Sequence, residues 1–133
     1  IEFEGKSFYS FPDAEKIAAL MPEDLAMLRS GYRAPYIVNA ARDVVSGKID
    51  FAELIDCDCV LARKKLMELN GVGEKVANCV VLFGLYHMEA FPIDVWIKRA
   101  LKEHFPKGFD SKTLGEYAGL AQQYIFYYIR ENS

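Results

Sequence analysis

The sequence has few of the residues that hold small secreted domains together or bind metals. It contains three cysteines, Cys57, Cys59 and Cys79, and only two histidines in 133 residues. An odd number of cysteines without regular spacing does not predict a disulfide scaffold. Neither histidine lies at a ligand spacing from the cysteines, so a zinc site is not expected. No apolar run approaches the roughly 18 to 20 residues that cross a membrane.

The sequence also lacks the excess of basic charge that is usual in nucleic-acid-binding domains. Its formal net charge is −3. The charge is distributed unevenly, because residues 1–60 hold 6 Lys/Arg and 11 Asp/Glu, whereas residues 61–133 hold 10 and 8. The mildly basic second half therefore has to be considered separately from the acidic first half.

Helical periodicity dominates the chain beyond its first eleven residues, and it predicts an all-α fold of about seven helices. Residues 1–11 alternate loosely and predict a short strand or an extended N-terminal arm. The length fits one helical domain over 1–133. The helix start signals include Asp58 and Ser111 as predicted N-caps, and a break in the last helical region is predicted at Gly115 or Gly119.

A glycine-containing hairpin separates two predicted helices at about residues 58–86. Gly71 and Gly73 permit positive φ angles and close approach of the backbone to another molecule. Free amides at the N-terminus of the second helix bind phosphate without reading bases. The hairpin alone is equally explained without any function, as a glycine C-cap followed by an ordinary helix start. The residues predicted to contact DNA here are Gly71, Val72, Gly73 and Lys75.

An extended proline loop over residues 90–94 ends in Asp94, nineteen residues after Lys75. Taken alone, Asp94 is explained as a helix N-cap. A helix of about a dozen residues followed by an antiparallel return would bring Lys75 and Asp94 to the mouth of one cleft. The combination of hairpin, first-turn lysine, apolar helix and proline loop is more specific than any of its parts.

Together these segments resemble the helix–hairpin–helix (Gly/Pro…Asp) DNA glycosylase superfamily and, within it, the 8-oxoguanine DNA glycosylase/AP lyase family. The lysine–cysteine pair four residues apart is more specific than the hairpin itself. The resemblance covers the C-terminal part of the family, and nothing here matches its N-terminal sheet domain or the helix whose Asn fills the space left by the flipped base. The segments that match in order and spacing are Phe11–Pro12, Gly31–Ala34, Asn70–Cys79, Phe91–Val95 and Tyr117–Gln122.

The resemblance implies a covalent mechanism centred on Lys75. Its amine would attack C1′ of the damaged nucleotide, displace the base and form a Schiff base that permits β-elimination of the 3′ phosphate. The amine must be neutral to attack, and the first turn of a helix disfavours a cation. Asp94 would stabilise positive charge on the sugar and position the lysine. Without the resemblance, Lys75 is interpreted as a solvated surface residue.

The resemblance also implies which side chains surround the damaged base and the duplex. Cys79 would pack against the flipped base, Gln122 would hydrogen-bond its edge, and Phe126 would stack on its face. Without the resemblance, Cys79 and Phe126 are interpreted as core residues and Gln122 as a surface residue. Tyr32 and Arg33 match positions that wedge into the duplex and contact the orphan cytosine.

Two further expectations concern a phosphate contact and ions. Trp96 stands where eukaryotic relatives commonly have a histidine at a phosphate contact, and its indole N–H donates without carrying charge. A K⁺ or Na⁺ ion is expected beneath the hairpin, held by backbone carbonyls, and no other cofactor is required. Because no cysteine follows Cys79, the iron–sulfur cluster of endonuclease-III-like relatives is not expected. The carbonyls predicted to hold the ion belong to Met67, Leu69 and Val72.

The sequence therefore predicts a monomeric, bifunctional DNA glycosylase/AP lyase fragment that excises 8-oxoguanine from double-stranded DNA, without membrane contact. The alternatives are a non-catalytic helix–hairpin–helix DNA-binding module, a glycosylase for another base lesion, and a purely helical interaction domain. The opening residues do not form a signal peptide. A cytoplasmic location is expected, at the bacterial or archaeal nucleoid if the source is prokaryotic.

Overall fold

The computed structural model of the protein describes residues 1–132. A two-stranded antiparallel hairpin, β1 (Glu2–Phe3) and β2 (Lys6–Ser7), occupies the segment predicted as a strand or extended arm. The remainder is helical, which confirms the all-α prediction. The described residues contain seven α-helices: α1 (Ala14–Ala18), α2 (Ala34–Val45), α3 (Phe51–Asp56), α4 (Cys59–Leu66), α5 (Glu74–Phe83), α6 (Val95–His104) and α7 (Ala118–Glu131). Three 3₁₀ helices cover Pro22–Leu28, Gly31–Arg33 and Ser111–Tyr117.

The chain forms two compact units, Ile1–Ile49 and the residues from Asp50 onward. The single helical domain expected over 1–133 therefore stays a prediction. None of the described helices is both long and apolar enough to cross a membrane.

In the first unit, α1 packs against α2. The guanidinium of Arg42 on α2 donates to the carbonyl oxygens of Ala18 (3.1 Å) and Leu20 (3.0 Å), which lie at and just after the end of α1. These bonds satisfy carbonyls that a helix end leaves without an intrahelical partner. Leu25 and Val38 are buried in the small apolar core of this unit.

In the second unit, α4 and α5 form the helical arms of the predicted hairpin. The predicted cap at Asp58 is confirmed, because its Oδ1 accepts from the backbone N–H groups of Val60 (2.9 Å) and Leu61 (3.0 Å). An ion pair between Arg63 on α4 and Glu74 on α5 (3.8 Å) joins the two arms. Because the pair is partly exposed, its contribution to stability is small.

Three helix boundaries differ from the predictions or refine them. The hairpin region, predicted to extend to 86, has its second helix ending at Phe83, and Tyr86 adopts a left-handed φ of 61° that turns the chain away. Asp110 rather than Ser111 caps the next 3₁₀ helix, since the Oδ1 of Asp110 accepts from a backbone N–H two residues on (3.0 Å). The predicted break is found at Gly115, with φ 60° and ψ −141°.

Gly119 lies where α7 packs closely against the segment after α5. Its N–H donates to the carbonyl oxygen of Met88 at 2.7 Å. A Cβ at Gly119 would lie 2.9 Å from the carbonyl oxygens of both Met88 and Ala90, and 2.2 Å from Cδ1 of Leu82. The absence of a side chain at Gly119 therefore allows α7 to pack closely against this segment.

We expect Gly119→Ala to lower the free energy of unfolding by about 1–3 kcal/mol, because backbone carbonyls cannot move aside as a flexible side chain can. Urea unfolding followed by circular dichroism measures this difference. Gly73→Ala is the matched control, because a Cβ at Gly73 meets nothing within 4 Å and its φ is −94°. Equal destabilisation by the two variants would show that crowding at Gly119 is not the cause.

Candidate active site

The hairpin between α4 and α5 turns through a single left-handed glycine. Gly71 has a φ of 84°, whereas Gly73 is extended (φ −94°, ψ 179°), so the expected positive φ is found at only one of the two positions. Val72 donates to the carbonyl of Leu69 (3.1 Å), and the carbonyl of Gly73 accepts from Ala77 (2.9 Å) to begin α5. The first N–H groups of α5 lie beside the open face of Gly73, where another molecule can approach the backbone closely.

Lys75 is the second residue of α5, and its side chain is exposed. Cys79, one helical turn further, lies on the same face and is half-buried. Both residues line a pocket of about 240 Å³ on the second unit. The structure therefore places the predicted nucleophile at the wall of a pocket and not on a featureless surface.

Asp94 lies in the wall of the same pocket and caps α6. Its Oδ1 accepts from the backbone N–H groups of Trp96 (3.0 Å) and Ile97 (2.9 Å). No donor among the described residues contacts its other oxygen, Oδ2. Lys75 and Asp94 are the charged residues of the pocket lining, one of each sign. Capping consumes one carboxylate oxygen and leaves the second for another contact.

Helix α7 supplies Gln122 and Phe126 to the pocket lining. Gln122 is only 3% exposed, and its Nε2 donates to the carbonyl of Pro92 at 3.0 Å. Phe126 is half-buried, with the guanidinium of Arg130 lying 5.5 Å from its ring centroid. The interpretation of Gln122 as a surface residue, which its polarity alone favoured, is wrong. The structure brings five predicted residues to one pocket: Lys75, Cys79, Asp94, Gln122 and Phe126.

The pocket is also lined by three residues that were not predicted as site residues, namely Phe83, Pro92 and Gln123. Phe83 continues the four-residue spacing of Lys75 and Cys79 along α5, so helical periodicity would have indicated it. Pro92 and Gln123 carry no such signal, because their place in the pocket depends on how α7 packs against the proline loop.

The other residues predicted to contact DNA lie outside the pocket lining. Tyr32 and Arg33 are exposed in the first unit, where the Arg33 guanidinium lies 4.5 Å from the centroid of the Tyr32 ring. This stacking stabilises the arginine against an aromatic face. Trp96 is half-buried in the first turn of α6. These contacts with DNA stay predictions.

The backbone below the hairpin offers the carbonyl ligands that a monovalent cation prefers. Among the described residues, no backbone N–H donates to the carbonyls of Met67 and Val72, whereas the carbonyl of Leu69 accepts one hydrogen bond from Val72. Each of the three carbonyls therefore keeps at least one lone pair for a ligand, and the K⁺ or Na⁺ site stays a prediction. The described residues contain no cluster of three His, Cys, Asp or Glu side chains that could hold a metal ion.

Cys59 lines a second groove, which also contains Glu89 and which Lys75 borders as well. Burial raises the pKa of the Cys59 thiol, and the nearby carboxylate of Glu89 raises it further. A thiol held in its protonated form is a poor nucleophile and a poor metal ligand. The structure therefore gives Lys75 no competing thiolate from Cys59.

The helical hairpin, the proline loop and the capping aspartate at a lysine-containing pocket define a helix–hairpin–helix domain of the Gly/Pro…Asp type. Residues 2–114 match the family model described as HhH-GPD superfamily base excision DNA repair protein. The chain belongs to this superfamily.

Individual relatives agree with this assignment. The chain is 34% identical to a probable N-glycosylase/DNA lyase of Methanothermobacter thermautotrophicus, a match that covers 98% of this chain and 50% of that protein. It is 37% identical to a DNA-3-methyladenine glycosylase of Bacillus subtilis, over 71% of this chain and 31% of that protein. Among solved structures, the chain is similar to Clostridium acetobutylicum 8-oxoguanine glycosylase/lyase in complex with DNA that contains cytosine opposite 8-oxoguanine. The match has a TM-score of 0.88 and 30% sequence identity, and it covers 99% of this chain and 49% of that one. The chain thus spans about half the length of the first and last of these proteins.

Proposed function

We propose that this chain is the lyase-bearing part of a bifunctional DNA glycosylase/AP lyase that removes 8-oxoguanine from double-stranded DNA. The observation that carries the proposal is the placement of Lys75 and Asp94 in one pocket lined also by Cys79, Gln122 and Phe126. The pocket combines a potential nucleophile, a carboxylate, a buried amide and an aromatic face. These are the groups that binding and displacing a flipped base require.

The proposed reaction begins with the neutral amine of Lys75. Its lone pair forms a bond to C1′ while the glycosidic bond breaks, and that bonding pair leaves with the base, which takes up a proton. The attached amine then loses one proton, its lone pair breaks the C1′–O4′ bond while O4′ takes up a proton, and a protonated Schiff base forms between Nζ and C1′. Removal of a C2′ proton then expels the 3′ phosphate by β-elimination. Each step uses groups present in the chain or in DNA, together with water.

Asp94 contributes to this chemistry through the carboxylate oxygen that capping leaves available. Positive charge develops on the sugar as the glycosidic bond breaks, and a fixed carboxylate beside it lowers the barrier by electrostatic stabilisation. The two hydrogen bonds that backbone N–H groups donate to Oδ1 hold the side chain in place before substrate arrives. The cap is therefore compatible with a catalytic role.

The hairpin is proposed to grip one DNA strand through backbone N–H groups at the start of α5. This grip needs no surplus of basic side chains, which fits the net charge of −3. Trp96 at the start of α6 would donate its indole N–H to a phosphate, and Tyr32 and Arg33 would contact the opposite strand.

We expect Gly73→Ala to weaken binding to undamaged duplex by about tenfold while leaving the free energy of unfolding nearly unchanged. A methyl group on this open face stands where the phosphate backbone must approach. Fluorescence anisotropy at several salt concentrations measures the affinity and its salt dependence. If the substitution left DNA binding unaltered, the hairpin would not be the phosphate contact.

A glycosylase for another base lesion is the second candidate function. The similarity to the Bacillus subtilis DNA-3-methyladenine glycosylase favours it. An enzyme that removes a base by water attack alone has no need of an amine nucleophile, so Lys75 favours the lyase. The two candidates predict different products from the same pocket.

Borohydride trapping on three duplexes distinguishes the candidates. The complete gene product containing this chain is incubated with duplex bearing 8-oxoguanine opposite cytosine, with alkylated duplex and with undamaged duplex. A covalent adduct on the first duplex alone is the expected result, because borohydride reduces a Schiff base to a stable amine. Base release from alkylated DNA without an adduct would support the second candidate, and binding without base release would support a non-catalytic DNA-binding module.

The proposed reaction requires no dissociable cofactor, because Lys75 itself supplies the nucleophile. A K⁺ or Na⁺ ion on the carbonyls of Met67, Leu69 and Val72 would place positive charge behind the phosphate contact. The protein would act as a monomer on double-stranded DNA. In a prokaryote its place of action would be the nucleoid in the cytoplasm, where that substrate lies.

A further inference from the structure

Two adjacent glutamines on α7 form a short chain of amide hydrogen bonds at the pocket. Gln122 is buried and donates through Nε2 to the carbonyl of Pro92 at 3.0 Å. Gln123 is half-buried, lines the same pocket, and donates through its Nε2 to Oε1 of Gln122. The Gln122 amide is therefore held at both its nitrogen and its oxygen.

This arrangement allows only one orientation of the Gln122 amide. Rotating the group by 180° would place its oxygen against the Pro92 carbonyl oxygen and its NH₂ against the NH₂ of Gln123. The contact with Pro92 would be repulsive in every case because it pairs two acceptors, and the contact with Gln123 would be repulsive as long as Gln123 keeps its own orientation. In a buried site each lost hydrogen bond leaves a polar group without a partner. The two bonds together fix which side of the amide presents its acceptor.

The orientation also determines what remains for a ligand. An amide has two N–H donors and a carbonyl with two lone pairs. One donor is used by Pro92 and one lone pair by Gln123, so one donor and one acceptor remain. A purine edge carries donors and acceptors side by side, and it is recognised by an amide whose orientation is fixed beforehand.

We propose that Gln123 is a positioning residue that holds the Gln122 amide in its base-reading orientation. The inference deepens the proposed function and rests on it, since a base must enter this pocket for the orientation to matter. Gln123 acts through Gln122. It therefore affects steps in which the base is bound and has no role once the base has gone.

Two near-isosteric substitutions separate donation from size. Glu at position 123 keeps the shape but offers only acceptors, so it repels Oε1 of Gln122, whereas Lys keeps a donor at a similar reach. We expect Gln123→Glu to lower single-turnover excision of 8-oxoguanine about tenfold, and Gln123→Leu about three- to tenfold. Gln123→Lys should stay within about twofold of the native rate.

The excision rate of each variant is divided by its rate of strand cleavage at a preformed abasic site in the same duplex sequence. The abasic substrate carries the same phosphates and reacts with the same lysine but has no base, so this ratio removes effects of charge and of general stability. Tyr124→Phe is the control, because Tyr124 is the next residue of α7, is 70% exposed and does not line the pocket. In a Gln122→Ala background, Gln123→Leu should cause no further loss.

Several outcomes would overturn the inference. Ratios for Gln123→Glu and Gln123→Leu equal to the native ratio would show that Gln122 needs no such support. Loss in Gln123→Lys as large as in Gln123→Glu, or additive losses with Gln122→Ala, would show that Gln123 does not act by donating to Gln122. A native protein that cleaves neither substrate would instead refute the proposed function.

Discussion

Lys75→Ala is expected to abolish the borohydride-trapped adduct and to lower strand cleavage at 8-oxoguanine by about 10³-fold or more. The amine of Lys75 is the nucleophile that the proposed reaction uses twice, once to displace the base and once to hold the sugar as a Schiff base. Alanine removes this group and fits the helix well. Because the native side chain is exposed, its removal should change the free energy of unfolding by less than about 0.5 kcal/mol. Denaturing gel electrophoresis measures both the adduct and the cleaved strand.

Lys64→Ala is the matched control for this experiment. Lys64 is an exposed lysine of α4, the other arm of the same hairpin, and it lies outside the pocket. The two variants carry the same change of charge, so a general loss of attraction to DNA would affect both equally. A covalent adduct that persisted in Lys75→Ala would place the nucleophile on another residue. Equal loss in both variants would indicate weakened DNA binding instead of lost chemistry.

The parts of the site that could be predicted from the sequence are those set by local signals. Asp58 and Asp94 each precede a helix that begins with three apolar residues, and both prove to be caps that accept from two backbone N–H groups. Lys75 and Cys79 are four residues apart in a helix, so their common face follows from helix geometry alone. Helix periodicity and cap chemistry therefore carried the prediction of α4, α5 and α6.

The parts that could not be predicted depend on tertiary packing. Gln122 has the polarity of a surface residue, and its burial is made favourable by hydrogen bonds to the Pro92 carbonyl of a distant loop and from the amide of Gln123. The close packing of Gly119 against the carbonyls of Met88 and Ala90 likewise could not be predicted from the sequence. Helix α5 ends at Phe83, and the left-handed φ of Tyr86 shortly after it is not indicated by the residue type. Resemblance to the family supplied the role of Gln122, which the residue pattern did not.

Asp94→Asn is expected to lower the rate of 8-oxoguanine excision about 10²-fold while changing the free energy of unfolding by less than about 1 kcal/mol. An asparagine carbonyl oxygen can still accept from the N–H groups of Trp96 and Ile97, so the cap on α6 is retained. The substitution removes the negative charge and with it the stabilisation of the positively charged sugar. Asp94→Ala should add a loss of about 1 kcal/mol in stability, because it removes the cap as well. Thermal unfolding and single-turnover kinetics measure the two effects separately.

The chain offers an internal control for the capping role of Asp94. Asp58 caps α4 with the same geometry, accepting through Oδ1 from two backbone N–H groups at 2.9 and 3.0 Å, and it does not line the pocket. Asp58→Asn therefore makes the same chemical change at the same kind of helix position, and excision should remain within about twofold of the native rate. If Asp94→Asn behaved like Asp58→Asn, Asp94 would be a cap alone. If Asp94→Asn lost excision while both variants kept their stability, the carboxylate charge itself would be what the reaction requires at this position.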